Sequence, residues 1–173
     1  MRVLFPSCLG GLAAGVLLAT PLAHAQDCLA IVKASSLAQV KVPHADVHVT
    51  TTPGQPPQRI EMVFKNDKAY TLIDGAWSSM PFSVKDQIEM INSSTDRAAK
   101  SSTCQRIGSE SVNGESATVF ASHGEARGKA TDARMWLSDK TGLPLKSEVR
   151  LANGMVMTDD FRYTNVEAPA GVK

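Results

Sequence analysis

The reactive side chains of this 173-residue chain are few: four histidines, three cysteines and scattered serines and carboxylates. No Gly-x-Ser-x-Gly, Ser-x-x-Lys, His-Glu-x-x-His or phosphate-binding loop occurs, so the sequence sets up no nucleophile, no zinc hydrolase and no phosphate cradle. His44 and His48 fall in a stretch of two-residue period. On a strand they share a face but stand about 13 Å apart, too far for one metal ion. His123 is isolated near a turn. Asp159 and Asp160 point to opposite faces of one strand and form no acid/base pair. Parity sends Asp159 inward. A strand bulge is the favoured explanation, with a polar point in an apolar interior as the other. No catalytic residue, metal site or cofactor is expected.

The elements that hold these residues come from a chain that is 43% hydrophobic and 20% charged, with a formal net charge of +1. That length suits one domain. The mixed charge gives no basic surface for nucleic acid. Residues 1–25 read as a secretory signal: Arg2 is the positive start, Leu9 to Leu22 the apolar stretch, and Ala23-His24-Ala25 the cleavage site before Gln26. The apolar run is too short and Gly-rich for a good membrane anchor. The expected address is the periplasm, with no membrane span after cleavage following Ala25. The processed chain keeps two cysteines, Cys28 and Cys104. Two cysteines in an exported protein read as one disulfide rather than a redox or metal pair, since there is no Cys-x-x-Cys.

Asp27 to Val40 reads as a short helix with Leu29, Val32, Ser36 and Val40 as its stripe and Asp27 as its cap. The period then changes to two. Strands are expected through Val47 and Val49, through Ile60, Met62 and Phe64, and through Tyr70 and Leu72 up to Asp74-Gly75. Trp77, Met80 and Phe82 crowd into a loop. Ser83 opens a second helix with Asp86 as its capping-box partner and Val84, Ile88 and Ile91 as its stripe. The polar run Asn92 to Ser102, with its Asn92-Ser93-Ser94 sequon, reads as the end of that helix. Further strands follow, punctuated by Asn113-Gly114, Asp139 to Gly142 and Asn153-Gly154. The expected class is mainly β (α+β). It is a curled antiparallel half-barrel of about seven to nine strands, apolar on one face and polar on the other. An N-terminal helix and a lid helix lie on the concave side. The domain spans residues 26–168, with 169–173 as a tail.

Three stretches resemble the outer-membrane lipoprotein carrier (LolA-like) family of periplasmic proteins. Pro57-Gln58-Arg59-Ile60 is similar to a strand entry, and Asp74-Gly75-Ala76-Trp77 to the turn before the lid. Trp136 to Lys146 resembles the Trp-x-Asp-x-x-Thr-Gly-Leu-Pro hairpin, and Phe161 to Val166 its closing strand. The resemblance implies a half-barrel with lid helices and an apolar cavity for acyl chains. It also implies that Arg59 latches the lid by bonding its backbone; an exposed strand charge is the other reading of that residue.

By parity, the apolar lining is Ile60, Met62, Phe64, Tyr70, Leu72, Met135, Leu137, Val149, Met155 and Met157. The methionines suit variable apolar shapes or simply fill a core. Trp77, Met80, Phe82, Ile88, Ile91 and Arg59 belong to the lid, where the Trp77 cluster is either a gate or an anchor. The expected function is non-catalytic binding of an apolar ligand, a lipid or lipid-modified protein. The alternative is an envelope interaction or regulatory protein with no bound ligand. No nucleic-acid partner is expected.

Overall fold

The structure, a computed structural model, describes residues 21–126 and 129–172. The first twenty residues of the expected signal lie outside this range. Helix α1 (Pro21–Gln39) is followed by strands β1 (His44–Thr51), β2 (Gln58–Lys65), β3 (Lys68–Ile73) and β4 (Ala76–Met80). Helix α2 (Val84–Ser101) comes next, then β5 (Thr103–Val112), β6 (Glu115–Ala126), β7 (Lys129–Ser138), β8 (Pro144–Leu151) and β9 (Val156–Arg162). All nine strands form one curled antiparallel sheet in the order β4-β3-β2-β1-β9-β8-β7-β6-β5. The mainly β class and the strand range read from the sequence are met.

Turn chemistry sets the register. Asn113 and Gly114 both have positive φ (52° and 83°), the conformation that a two-residue hairpin requires. Asp74 and Gly75 do the same (51° and 78°), and so turn β3 directly into β4. The expected loop at Trp77 is therefore a strand. Only the short β4 fits between that turn and Ser83, and its backbone groups are satisfied by pairing Trp77 with Leu72 and Met80 with Ala69.

Both helices differ from expectation in extent. α1 begins at Pro21, so Asp27 lies inside it and caps nothing. Its most buried side chains, Cys28, Ser35 and Gln39, put the inner stripe one residue away from Ser36. α2 starts as expected: Ser83 Oγ accepts from Asp86 N–H at 3.2 Å, and Ser83 N–H donates to Asp86 at 2.8 Å. Asp67 adds a third N-terminal partner, accepting from Val84 N–H at 2.9 Å. The helix runs through Asn92-Ser93-Ser94 to Ser101 instead of ending there. Its small polar side chains bond back to the helix, as Thr95 does to Ile91 O at 2.8 Å.

Both helices lie on one side of the sheet. α1 is tied to it by the Cys28–Cys104 disulfide, whose Cα atoms are 5.7 Å apart. Leu29 and Val32 pack on Phe120, Leu137 and Met135. Ser35 donates to Gly142 O, and Lys33 pairs with Asp96 of α2 at 3.2 Å. The opposite face is not the uniformly polar surface that alternation predicts. It buries Val63 and Tyr70 under the C-terminal segment through Val166, Ala168 and Val172, and it buries Val119 and Trp136 in a second cluster. The segment after β9 thus covers the sheet, and Val172, from the stretch read as a tail, packs there with Val166 and Ala168.

Candidate functional site

Residues directly opposite in an antiparallel pair share a face, so the ladders assign every strand side chain to the helix face or the outer face. On β1 the helix face carries His44, Asp46, His48 and Thr50, opposite Phe64, Met62, Ile60 and Gln58 of β2. On its other flank Asp46, His48 and Thr50 oppose Phe161, Asp159 and Met157 of β9. Ser147 and Val149 continue this face on β8, and Met135 on β7.

Seven of the ten expected lining residues stand on the helix face: Ile60, Met62, Phe64, Met135, Leu137, Val149 and Met157. Tyr70 and Leu72 do not. They oppose Val63 and Glu61 on the outer face, because the two-residue Asn66-Asp67 turn fixes the β3 register one step from the expected one. Met155 lies in the β8–β9 turn and bonds Leu151 through its backbone.

The lid residues divide as well. Ile88 and Ile91 are half-buried on α2, and Met80 stands on the helix face opposite Ala69. Phe82 is half-buried in the link to α2. Trp77 is on the outer face, packed in the Tyr70 cluster, so it anchors and does not gate. Arg59 is also on the outer face. It pairs with Glu61 at 2.8 Å and holds no helix backbone.

The helix face is polar at its centre, which alternation alone does not reveal. Asp159 is in regular register on both sides, so no bulge exists there. Its Oδ1 lies 2.6 Å from His48 Nδ1, and its Oδ2 accepts from Ser147 Oγ at 2.6 Å. His48 Nε2 lies 3.0 Å from Thr50 Oγ1. Asp46 is 7% exposed, and its Oδ1 has no hydrogen-bond partner. Burial, reinforced by the charges of Asp159 and Asp160, pushes the Asp46 carboxyl up to about 8. His44, stacked on Phe64 at 4.6 Å, is held below its ordinary value by burial, against a hydrogen bond to Val42 O. Burial raises the Tyr163 phenol in the same way. Sequence reading passed over Asp46, Thr50 and Ser147. Parity offered a signal only for Ser147, which shares its face with Val149 on β8; the helix-face positions of β1, His44, Asp46, His48 and Thr50, are all polar, and only the pairing with β2 and β9 sends them inward.

Thr50, His48 and Asp159 have the hydroxyl–imidazole–carboxylate order of an acyl-transfer relay. Such a relay acts with donors aimed at the oxyanion, most often backbone N–H groups. β1 is bonded to β2 and to β9, so the N–H groups beside Thr50 are used in the ladders. The network orients side chains between strands. Among the described residues, no group of three His, Cys, Asp or Glu is placed to hold a metal ion.

Two spaces adjoin this face. A cavity of about 140 Å³ lies under α1, lined by Leu29, Val32, Phe120, Met135 and Val149. A groove of about 610 Å³ opens between the end of α1, the β2–β3 turn and the start of α2, with Val42, Phe64 and Val84 in its lining. Among the described residues, the large apolar side chains left exposed on the sheet are Ile60 (37%), Ile73 (54%) and, at the β5 irregularity, Ile107 (43%).

A curled antiparallel sheet with two helices on one side is the half-barrel architecture that the sequence resemblance implies, and solved structures share it. The mycobacterial lipoprotein LppX from Mycobacterium tuberculosis superposes with a TM-score of 0.50 at 14% identity, covering 82% of this chain and 99% of that one. MucB in the Pseudomonas aeruginosa MucA/MucB complex superposes with a TM-score of 0.55 at 16% identity, covering 82% of this chain. This chain spans only 59% of that one. A LolA superfamily protein from Nitrosomonas europaea aligns over 80% of the chain at 12% identity and a TM-score of 0.32. No protein-family model matches the sequence, and no curated protein matches it. At these identities the likeness is one of fold. No helix among the described residues is long and apolar enough to cross a membrane.

Proposed function

We propose that this chain is a non-catalytic periplasmic protein that binds an apolar ligand, a lipid or lipid-modified protein, on the helix face of its sheet. One observation carries the reading. Ile60 and Ile73 stay exposed on that face, and Met62, Phe64, Met157 and Phe161 are only half-buried there, beneath helices that do not cover them. Such a face gains about 0.8 kcal/mol for each methylene it removes from water. α2 suits a movable cover, because its stripe of Val84, Ile88 and Ile91 is half-buried and its ties to α1 include the exposed Lys33–Asp96 pair. The signal-like residues 1–25 and the Cys28–Cys104 disulfide support export.

A second reading, an envelope interaction protein without a ligand, is favoured by the size of the cavity under α1. At about 140 Å³ it is below the range of ligand pockets, which starts near 300 Å³. MucB, of related fold, is solved in complex with MucA. The test is to isolate the exported protein gently, extract it with organic solvent and measure lipid by mass spectrometry. Near-stoichiometric lipid is the expected result. A protein free of lipid, and unable to take up a fluorescent fatty acid, overturns the first reading in favour of the second.

A further inference from the structure

The groove at the helix ends differs in charge from the face it opens onto. The helix face of β1, β2, β3, β8 and β9 has Asp46 and Asp159 as its carboxylates and no lysine or arginine. The groove lining, by contrast, includes Lys41 and Lys85 beside Val42, Phe64 and Val84, and Lys65 and Lys68, which are outer-face positions by register and reach the groove where the sheet ends at the β2–β3 turn. Its one acidic lining residue, Asp67, is already engaged, accepting from Val84 N–H at 2.9 Å; of the lysines, Lys65 is taken by Glu167, outside the groove, at 2.6 Å. Lys85 reaches Glu89 only at 3.8 Å, with both side chains mostly exposed, so that pair is weak. Lys41 and Lys68 form no ion pair among the described residues and are exposed. One further feature fits: the groove volume of about 610 Å³ is that of a ligand site.

We infer that this groove receives the anionic head of an amphiphile, a phosphate or carboxylate on an alkyl chain, with Lys41 and Lys68 as its charge partners and Phe64 and Val84 as the start of the apolar path. The inference rests on the proposed ligand-binding reading and adds the class of head group. The lysine stems cover apolar surface while their ammonium groups stay in water, which suits a mouth where a head group remains hydrated. An anionic head next to two free ammonium groups gains attraction that ionic strength screens.

The experiment is calorimetric titration of the exported protein with dodecyl phosphate, dodecanoate, monododecanoylglycerol and inorganic phosphate, repeated with Lys41→Glu/Lys68→Glu. Both anionic amphiphiles should bind about tenfold more tightly than the neutral ester at low salt, and the advantage should shrink in about 0.5 M salt. The double charge reversal should erase that advantage, the anionic chains losing about tenfold more affinity than the neutral ester. Tighter binding of both dodecanoate and dodecyl phosphate than of the neutral ester supports charge recognition, the phosphate monoester being favoured by its second charge. Equal binding of neutral and anionic chains, or tight binding of inorganic phosphate alone, overturns the inference and leaves the ligand-binding reading standing in the first case. Adsorption to phosphatidylglycerol vesicles with no lipid taken up also overturns it, in favour of a membrane-docking surface. Failure of every amphiphile to bind overturns the ligand-binding reading itself.

Discussion

His48 Nδ1 lies 2.6 Å from Asp159 Oδ1, which joins the first strand of the sheet to the last across 111 positions of sequence. The contact exists because β9 closes onto β1 and places these two residues opposite each other. Ser147 holds the second carboxylate oxygen from β8. Three strands from the two ends of the chain are thereby bonded side chain to side chain at the centre of the helix face.

That junction should be energetically coupled. Both side chains are about three-quarters buried, at 25% and 23% exposure. Asp159→Ala leaves His48 and Ser147 without their acceptor and should cost about 2 kcal/mol. His48→Ala should cost less, because Ser147 still satisfies part of the carboxylate. A double-mutant cycle by urea unfolding should give a coupling of about 1 kcal/mol or more. A coupling near zero would show that the two residues act independently.

Asp46 should impose a pH dependence on stability. Its folded-state value of about 8 lies above the usual carboxylate range, so folding favours the protonated form. Below about pH 4 both the folded and unfolded carboxyls are protonated and the full stability is present. As pH rises from there to about 8 the unfolded chain ionises first, and the contribution is lost; above 8 it is constant. Asp46→Asn keeps the shape and removes the charge. The melting temperature of the variant relative to wild type should therefore climb between pH 5 and 8 and then level off. A pH-independent difference between the two would refute this.

Reduction of Cys28–Cys104 should loosen α1 more than the sheet. The residues are 76 positions apart. The chain-entropy model gives about 4 kcal/mol for closing a loop of that length. Cys28→Ser/Cys104→Ser should lower stability by about 2–4 kcal/mol, and amide exchange should rise first along α1, whose Leu29 and Val32 pack beside the bridge. Uniform acceleration across the sheet strands would contradict this.

Ile60 and Ile73 should matter to ligand binding and little to folding. They are 37% and 54% exposed. Ile60→Asp and Ile73→Asp should each change stability by only about 0.5 kcal/mol, while weakening uptake of a fluorescent fatty acid about tenfold. Val63→Asp on the outer face is the contrasting variant, because Val63 is buried against Tyr70 and Val166 and should destabilise the fold. Unchanged uptake in both isoleucine variants would count against the proposed function.

Local chemistry carried much of this fold. The Asn113-Gly114 turn, the Ser83/Asp86 capping box and the two-residue period of β6 to β9 depend on residues close in sequence, and they stand where the spacing puts them. The pairing of Cys28 with Cys104 follows from their being the two cysteines outside the signal-like residues 1–25. The face to which a strand residue points is different, because one step of register inverts it. The tight turn at Asn66-Asp67 sent Tyr70 and Leu72 to the outer face, and β4 carried Trp77 with them. Arg59 was likewise set beside Glu61 and away from the helices by β2 pairing. The polar centre of the helix face depends on β9 lying beside β1, a contact between distant segments that no local pattern encodes. What burial does to Asp46 follows only from that contact, since a carboxyl's protonation depends on which neighbours exclude its water.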